Sequence, residues 1–499
     1  MVRSSESRRV ALAVSSRSFF RRFCRAVSRV SLGLGLAGAG GLSRAQTGAA
    51  DETAADNAMA KGDFATALVW TAEAMKRDPK DALLRWRAGN LIRQIPLQAV
   101  APAADTGNDG PPNRALLRTM THDNSVEDAV FSPDGRAIAT ASWDRTARVW
   151  STQSGEPLVP PLTYPEQVQF VAFRPDGRAV IATSYVSPAH VWDAATGKLL
   201  PPELAQDRVR SAAFSPDGKI IATASNDGAA RLWDAMTGKS LVPPLTHAGA
   251  VVSVTFSPDG RLVLTASSDH TARVWNVATG QPATPPLQHK FWVTSAAFSP
   301  DGRAVVTASQ DKTARVWSAA TGEPITPPLA HDDAVNFAAF SPEGRVVVTA
   351  GNDATARLWV AATGDSLTPP LTHEDAVVHA AFSPDGKIVA TASDDYTARL
   401  WEVATGRPLG PPLRHALNVR HVAFSPDGRS LLTACWDKAA RLWDISPTDW
   451  PTEDVAMFAA IASSSRVAPG SVLQALTAAE RDGLMKTFRR RHPEMFGTR

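Results

Sequence analysis

One recurring string governs what this chain can fold into. A Phe opens FSPDG, or a close variant of it, at Phe131, Phe173, Phe214, Phe256, Phe298, Phe340, Phe382 and Phe424, in steps of 42 or 41 residues. A Trp follows each Phe after 19 residues, at Trp150, Trp192, Trp233, Trp275, Trp317, Trp359, Trp401 and Trp443. Self-similarity at such a period marks a repeat architecture in which each copy is one supersecondary unit.

The unit Val251–Gln288 shows what is repeated. Val251–Phe256 is a β-branched run, and Ser257-Pro258-Asp259-Gly260 is a turn with Pro presetting φ and Gly taking φ > 0. Leu262–Ala266, Ala272–Trp275 and Pro282–Gln288 read as three further short strands, separated by Ser268-Asp269-His270 and Ala278-Thr279-Gly280. Four strands cannot bury both faces alone, whereas radial stacking buries them and closing the ring removes the unstacked ends. The fourth strand carries a Pro-Pro pair in seven places, as at Pro285-Pro286, which suits an outermost edge. The pattern breaks at Ile445-Ser446-Pro447, so the eighth unit lacks a fourth strand of its own. Ala115–His122, ahead of the first unit, is expected to supply it. The expected fold is all-β, an eight-bladed β-propeller over 114–445, monomeric, closed by an N-terminal strand, with short flanking helices.

These residues resemble the WD-repeat family, bacterial in style through the near-identical ATG, PPL and FSPDG strings. The resemblance implies a His–Ser/Thr–Asp–Trp hydrogen-bond network in each blade. The sets are His122, Ser142, Asp144 and Trp150; His247, Ser267, Asp269 and Trp275; His289, Ser309, Asp311 and Trp317; and His373, Ser393, Asp395 and Trp401. Four repeats depart: Tyr164 and Val186 replace His and Asp in the second, Ala205 replaces His in the third, and Gly351 and Cys435 replace Ser in the sixth and eighth. The second blade is expected to be the least rigid. His, Ser and Asp in one unit also invite comparison with a hydrolytic triad, but a set recurring on many blades beside a Trp reads as structural. The resemblance further implies a partner-binding top face. The positions carried over to it include Glu127, Trp143, Tyr185, Arg208, Arg210, Trp292, Arg420 and Trp436. Trp143 and Trp436 fall on blades made adjacent by closure, with Arg420 and Arg208 expected to flank them, and Trp and Arg are favoured at binding hot spots.

The formal charge of +3 hides an asymmetry. Residues 1–50 hold nine Arg and one acid, Glu6, while the remainder is net acidic at about −5 and carries no nucleic-acid footprint. Residues 1–45 read as a targeting segment, Arg-rich before a Gly/Leu-rich run, with a cleavage point after Ala45. Ser7-Arg8-Arg9 and Arg21-Arg22 resemble twin-arginine signals. Export to the periplasm follows if this leader is cleaved; a disordered basic tail on a cytoplasmic protein, a misplaced start codon and a mitochondrial transit peptide are the other readings. No apolar run is long enough for a membrane span. The two cysteines, Cys24 and Cys435, make no metal cluster.

Residues 46–93 resemble a tetratricopeptide-type helical hairpin through Gly62-Asp63-Phe64, Ala67, Ala74 and Pro79; 94–113 read as a linker. In 446–499, Asp454–Ile461 and Val472–Arg490 read as helices, the second with a Ser471/Gln474 capping box and a weak point at Gly483. No catalytic, cofactor or metal motif stands in a supporting context: the GxGxxG at Gly33, Gly35 and Gly38 has no βαβ unit around it. Five His lie outside the network (His190, His270, His379, His421 and His492) and read as isolated. The expected function is a non-enzymatic scaffold or adaptor for a protein or peptide partner. The alternatives are a sensing module for a separate signalling enzyme, or a small-ligand binder in the central channel.

Overall fold

The computed structural model describes residues 44–95, 115–201, 204–468 and 472–496. Residues 1–43 of the 1–45 leader reading and nearly all of the 94–113 linker reading fall outside these residues. Eight four-stranded antiparallel sheets follow one another along the chain. In the first blade the strands are Val126–Phe131, Ala137–Ser142, Thr146–Ser151 and the two-residue Leu162–Thr163, from innermost to outermost. Each inner strand is offset by a bulge after its first residue, as between Val251 and Ser253, which turns the strand toward its neighbours.

The FSPDG string is a hydrogen-bonded device joining first strand to second. Ser257 Oγ donates to Asp259 Oδ1 at 2.6 Å, the carboxylate accepts from the Arg261 amide at 3.0 Å, and Ser257 Oγ accepts from the Leu262 amide at 2.9 Å. Gly260 sits at φ +70°, where a side chain would be strained. The Pro pairs fall between a bridge at the third-strand Trp, such as Trp275 with Pro282, and the short fourth strand Leu287–Gln288.

Packing is between blades rather than within them. Leu264, Ala266, Ala272 and Val274 of the fourth blade bury against Val293, Ala296, Val305 and Trp317 of the fifth, and the arrangement repeats around the ring. The strand Leu116–Thr121 pairs antiparallel with Ala439–Asp444 and is the outermost strand of the eighth blade. Met120 is fully buried there, among Val126, Ile138 and Trp150 of the first blade and Leu432, Ala440 and Leu442 of the eighth. The ring is therefore closed by pairing the beginning of the propeller with its end.

The flanks form one helical lobe. Helices α1 (Arg44–Ala60), α2 (Phe64–Arg77) and α3 (Ala82–Gln94) precede the ring, and α4 (Thr452–Ser463) and α5 (Ala478–Arg491) follow it. Leu68, Met75, Leu91, Phe458 and Phe488 share its core. Three helices, not a hairpin, stand at the N-terminal side. Val472–Ala475 is a strand rather than the start of a helix, paired with Ser465–Ala468. The capping box of α5 is Thr477 with Glu480; of the expected box, Gln474 is in the strand and Ser471 lies outside the described residues, and α5 runs through Gly483 without a break. The lobe docks through α3: Arg93 Nε lies 3.0 Å from Asp444 Oδ2, and a Cβ on Gly89 would stand 2.8 Å from the Ser446 carbonyl. Gly89→Val is expected to push α3 off the eighth blade and lower the melting temperature, whereas Gly483→Ala, on an open face, is expected to raise helix stability by about 1 kcal/mol.

Candidate functional site

The recurring polar set proves to be a relay closed around a buried threonine. In the first blade His122 Nδ1 donates to Asp144 Oδ2 at 2.8 Å. The remaining nitrogen, Nε2, lies 2.7 Å from Thr140 Oγ1, whose oxygen also accepts Trp150 Nε1–H at 2.8 Å. The proton count is complete with a neutral imidazole: Nε2 accepts the Thr hydroxyl, and the hydroxyl oxygen accepts the indole. The hydroxyl is thus Thr140, and likewise Thr265, Thr307 and Thr391, not Ser142, Ser267, Ser309 and Ser393. Those serines have another task. Ser142 donates to the Asn124 carbonyl at 3.1 Å and accepts the Asp144 amide at 3.0 Å, which pins the loop entering the blade. Burial alone would raise the Asp144 carboxyl, but the donors His122, Thr146 and the Asp123 amide hold it well below the usual carboxylate range. No oxygen nucleophile here is free to react, because each Thr hydroxyl is already shared between an imidazole and an indole.

The departures sort differently once the hydroxyl is known to be Thr. The sixth blade is complete, with His331, Thr349, Asp353 and Trp359, and Gly351 interrupts nothing in it. In the third blade the His position is filled by Gln206 rather than Ala205: Thr223 donates to Gln206 Oε1, and Gln206 Nε2 donates to the Ala229 carbonyl at 3.0 Å. In the second blade Tyr164 spans the gap, donating to the Ala182 carbonyl and accepting the His190 amide at 3.0 Å, with the His190 ring stacked on it. That blade's third strand, His190–Asp193, has four residues, and its fourth pairs lower, Leu199 with Trp192.

In the eighth blade His415 keeps Thr433, at 2.8 Å, but turns Nδ1 to the Leu413 carbonyl, while Asp437 pairs with Arg441. Burial pushes the His415 imidazole down to about 4, and the Arg441 cation acts in the same direction. A native pKa below the ordinary value of about 6.5 means that the unfolded chain binds the extra proton. The contribution of His415 to stability is therefore present above about pH 6.5 and is lost as pH falls from there toward 4. His415→Gln, which copies the third blade, is expected to flatten that part of the pH profile of the melting temperature. An unchanged slope would remove His415 as a contributor.

The top-face residues divide into separate groups. At the seam between the eighth and first blades, the Trp143 and Trp436 rings lie 5.6 Å apart, inclined at 45°, each half-buried. Arg420 stands over Trp436, 4.8 Å from its centroid. Trp436 Nε1 donates to Glu127 Oε2 at 2.7 Å, and Arg420 spans from Glu127, at 3.5 Å, to Asp394 on the seventh blade, at 3.3 Å. The Arg420 fork thus lies between two carboxylates and against an indole face, in a partly buried group with one negative charge in excess. Arg208 is not part of this group; it is exposed, at φ +56°, on the loop entering the third blade. Arg210 instead lies over Tyr185 at 5.4 Å. Trp292 is 49% exposed on the fifth blade and stacks on Phe291, itself 48% exposed and stacked on His270.

A further group lines the inner strands. His379 and His421 are not isolated: their rings lie 4.0 Å apart, and the Phe337 ring lies 4.2 Å from His379, inclined at 48°. His421 Nδ1 is 3.5 Å from Asp128 Oδ1, whose second oxygen accepts the Val171 amide at 3.1 Å. Burial pushes His379 well below the ordinary imidazole range. These residues occupy the same repeat position, three before the Phe, which is the signal in the sequence that finds them. Among the described residues no group of three or more His, Cys, Asp or Glu is arranged to hold a metal ion. Cys435 is buried, and burial pushes its thiol up to about 12, leaving it a poor nucleophile.

A closed ring of eight four-stranded blades, pinned by His–Thr–Asp–Trp relays, defines a WD40-type β-propeller. The family described as "IFT122 first beta-propeller" matches residues 113–360 and 250–465, and the chain belongs to it. The chain is 36% identical over 52 residues to the Ribosome assembly protein 4 of Chaetomium thermophilum, and 45% identical over 47 residues to the Periodic tryptophan protein 2 homolog of Neurospora crassa. These matches cover 10% and 9% of this chain and 10% and 5% of those proteins, so the chain spans a tenth or less of the relatives it matches. Among solved structures, the computationally designed Ika8 protein is similar with a TM-score of 0.59 and 25% identity, over 66% of this chain and 99% of that one. The C-terminal WD40 domain of Sif2 is similar with a TM-score of 0.58 and 16% identity, over 66% and 98%. No described helix is long and apolar enough to cross a membrane.

Proposed function

We propose that this chain is a non-enzymatic scaffold that docks a protein or peptide partner on the top face at the ring-closure seam, through Trp143, Trp436, Arg420 and Glu127. The observation that carries this reading is the assembly of two Trp rings and an Arg, from opposite ends of the propeller sequence, on one half-buried surface. Buried aromatic and Arg anchors concentrate binding energy at interfaces, and here two carboxylates hold the Arg in place before any partner arrives. Pre-fixed anchors lose little conformational entropy on binding. WD40-type relatives, whose fold is used as an interaction platform, support the scaffold role.

Affinity capture from the native host tests it, with wild type beside Trp143→Ala/Trp436→Ala after both are shown to fold by thermal melt. A partner held by wild type and lost at least tenfold by the double variant is the expected result. Equal capture by both would move the docking surface elsewhere, with the exposed Trp292–Phe291 pair the next to substitute.

A further inference from the structure

The propeller guards each of its sheet edges. Seven outer strands have two residues each, six of them following a Pro-Pro pair that lies just beyond a bridge to the third-strand Trp, and one preceding such a pair. The eighth outer strand, Leu116–Thr121, carries Arg118 beside a bulge. Short strands, Pro, charge and bulges are the devices that prevent edge-to-edge pairing.

One strand outside the propeller, four residues long, lacks the Pro, the charge and the bulge. Val472–Ala475 belongs to a two-stranded sheet, and among the described residues no strand lies beyond it. It reads Val-Leu-Gln-Ala, with no charge and no Pro, and pairs with Ser465–Ala468 in unbroken register. All four residues are exposed, Val472 by 62%. The ladder phase fixes which backbone groups are free. The Leu476 amide donates to the Ser464 carbonyl at 2.8 Å. Antiparallel pairs alternate between bonded and non-bonded, so residues 472, 474 and 476 turn inward. Leu473 and Ala475 then turn their N–H and C=O to the open edge.

We propose that this edge pairs antiparallel with the same strand of a second copy of the chain. A twofold axis beside Gln474 sets Leu473 of each copy opposite Ala475 of the other, which gives four backbone hydrogen bonds. The two Gln474 side chains then meet as the close, non-bonded pair. A twofold contact requires a self-complementary surface, and an uncharged strand meets that condition. The nearest charge, Arg466, is 3.4 Å from Gln474 Oε1 and already paired with Glu480 of its own chain at 3.3 Å, so pairing the strands leaves no like charges unmatched. The contact lies outside the propeller and leaves the Trp143–Trp436 surface open. A contact this small is weak, well under the roughly 1,200–2,000 Å² of stable interfaces.

Sedimentation velocity on the full chain from about 1 to about 100 µM, the span over which a weak interface fills, tests the pairing. Wild type is expected to move from monomer toward dimer across that range. Gln474→Lys sets two ammonium groups across the axis, and Leu473→Pro deletes an outward N–H that the hairpin itself does not use. Each is expected to weaken association at least tenfold, Leu473→Pro with an unchanged melting temperature. A wild type that stays monomeric at the highest concentration overturns the proposal, as does a dimer that persists unchanged in both variants.

Discussion

A chain lacking residues 115–121 is expected to lose the closed ring and, with it, more than about 5 kcal/mol of stability. The deleted strand forms a ladder with Ala439–Asp444, and ladder hydrogen bonds contribute roughly 0.5–1.5 kcal/mol each. It also removes Met120, fully buried at the seam, and emptying such a site costs about 2–5 kcal/mol. His122 is retained, so the first blade keeps its relay and the effect reports closure alone. Thermal and denaturant unfolding are the readouts. Met120→Asp, which buries a carboxylate in the same seam, is expected to act in the same direction. A truncated chain that melts with wild type would show that the seam carries no load.

The second large effect separates two hydroxyls that sit two residues apart. Thr307→Val keeps the volume but leaves His289 Nε2 and Trp317 Nε1 buried without their shared partner, which lie 2.7 and 2.8 Å from Thr307 Oγ1. Orphaning buried polar groups costs about 1–3 kcal/mol each, so a loss of roughly 2–6 kcal/mol is expected. Ser309→Ala, in the same strand and equally buried, removes only the bonds to the Phe291 carbonyl and the Asp311 amide. The sixth blade dispenses with that side chain altogether at Gly351. A loss of about 1 kcal/mol is expected there. Equal losses at the two positions would contradict the relay.

That pair of residues also shows where sequence reading stops. Thr307 and Ser309 are i and i+2 in one strand and share a face, so the period alone cannot choose between them. The choice depends on which hydroxyl the cross-strand register sets beside the Trp. Blade number, strand order and closure were legible because they follow from spacing, turn residues and a missing fourth strand. Gln206 was not, since the one 41-residue step displaces it by a residue from the His position. In the C-terminal region Val472, Leu476 and Ala479 mimic helical spacing, and the strand was signalled only by Pro469-Gly470, a turn dipeptide. At the top face the sequence placed Trp143 and Trp436 on adjacent blades, but Arg208, two blades away, joined the group only by residue type.

The most direct test of the docking surface is hydroxyl-radical footprinting of the chain alone and with its captured partner. The account predicts that oxidation of Trp143 and Trp436 falls on binding while Trp292, the more exposed ring, reacts as before. Protection of Trp292 with no change at Trp143 and Trp436 would contradict it and move the surface to the fifth blade.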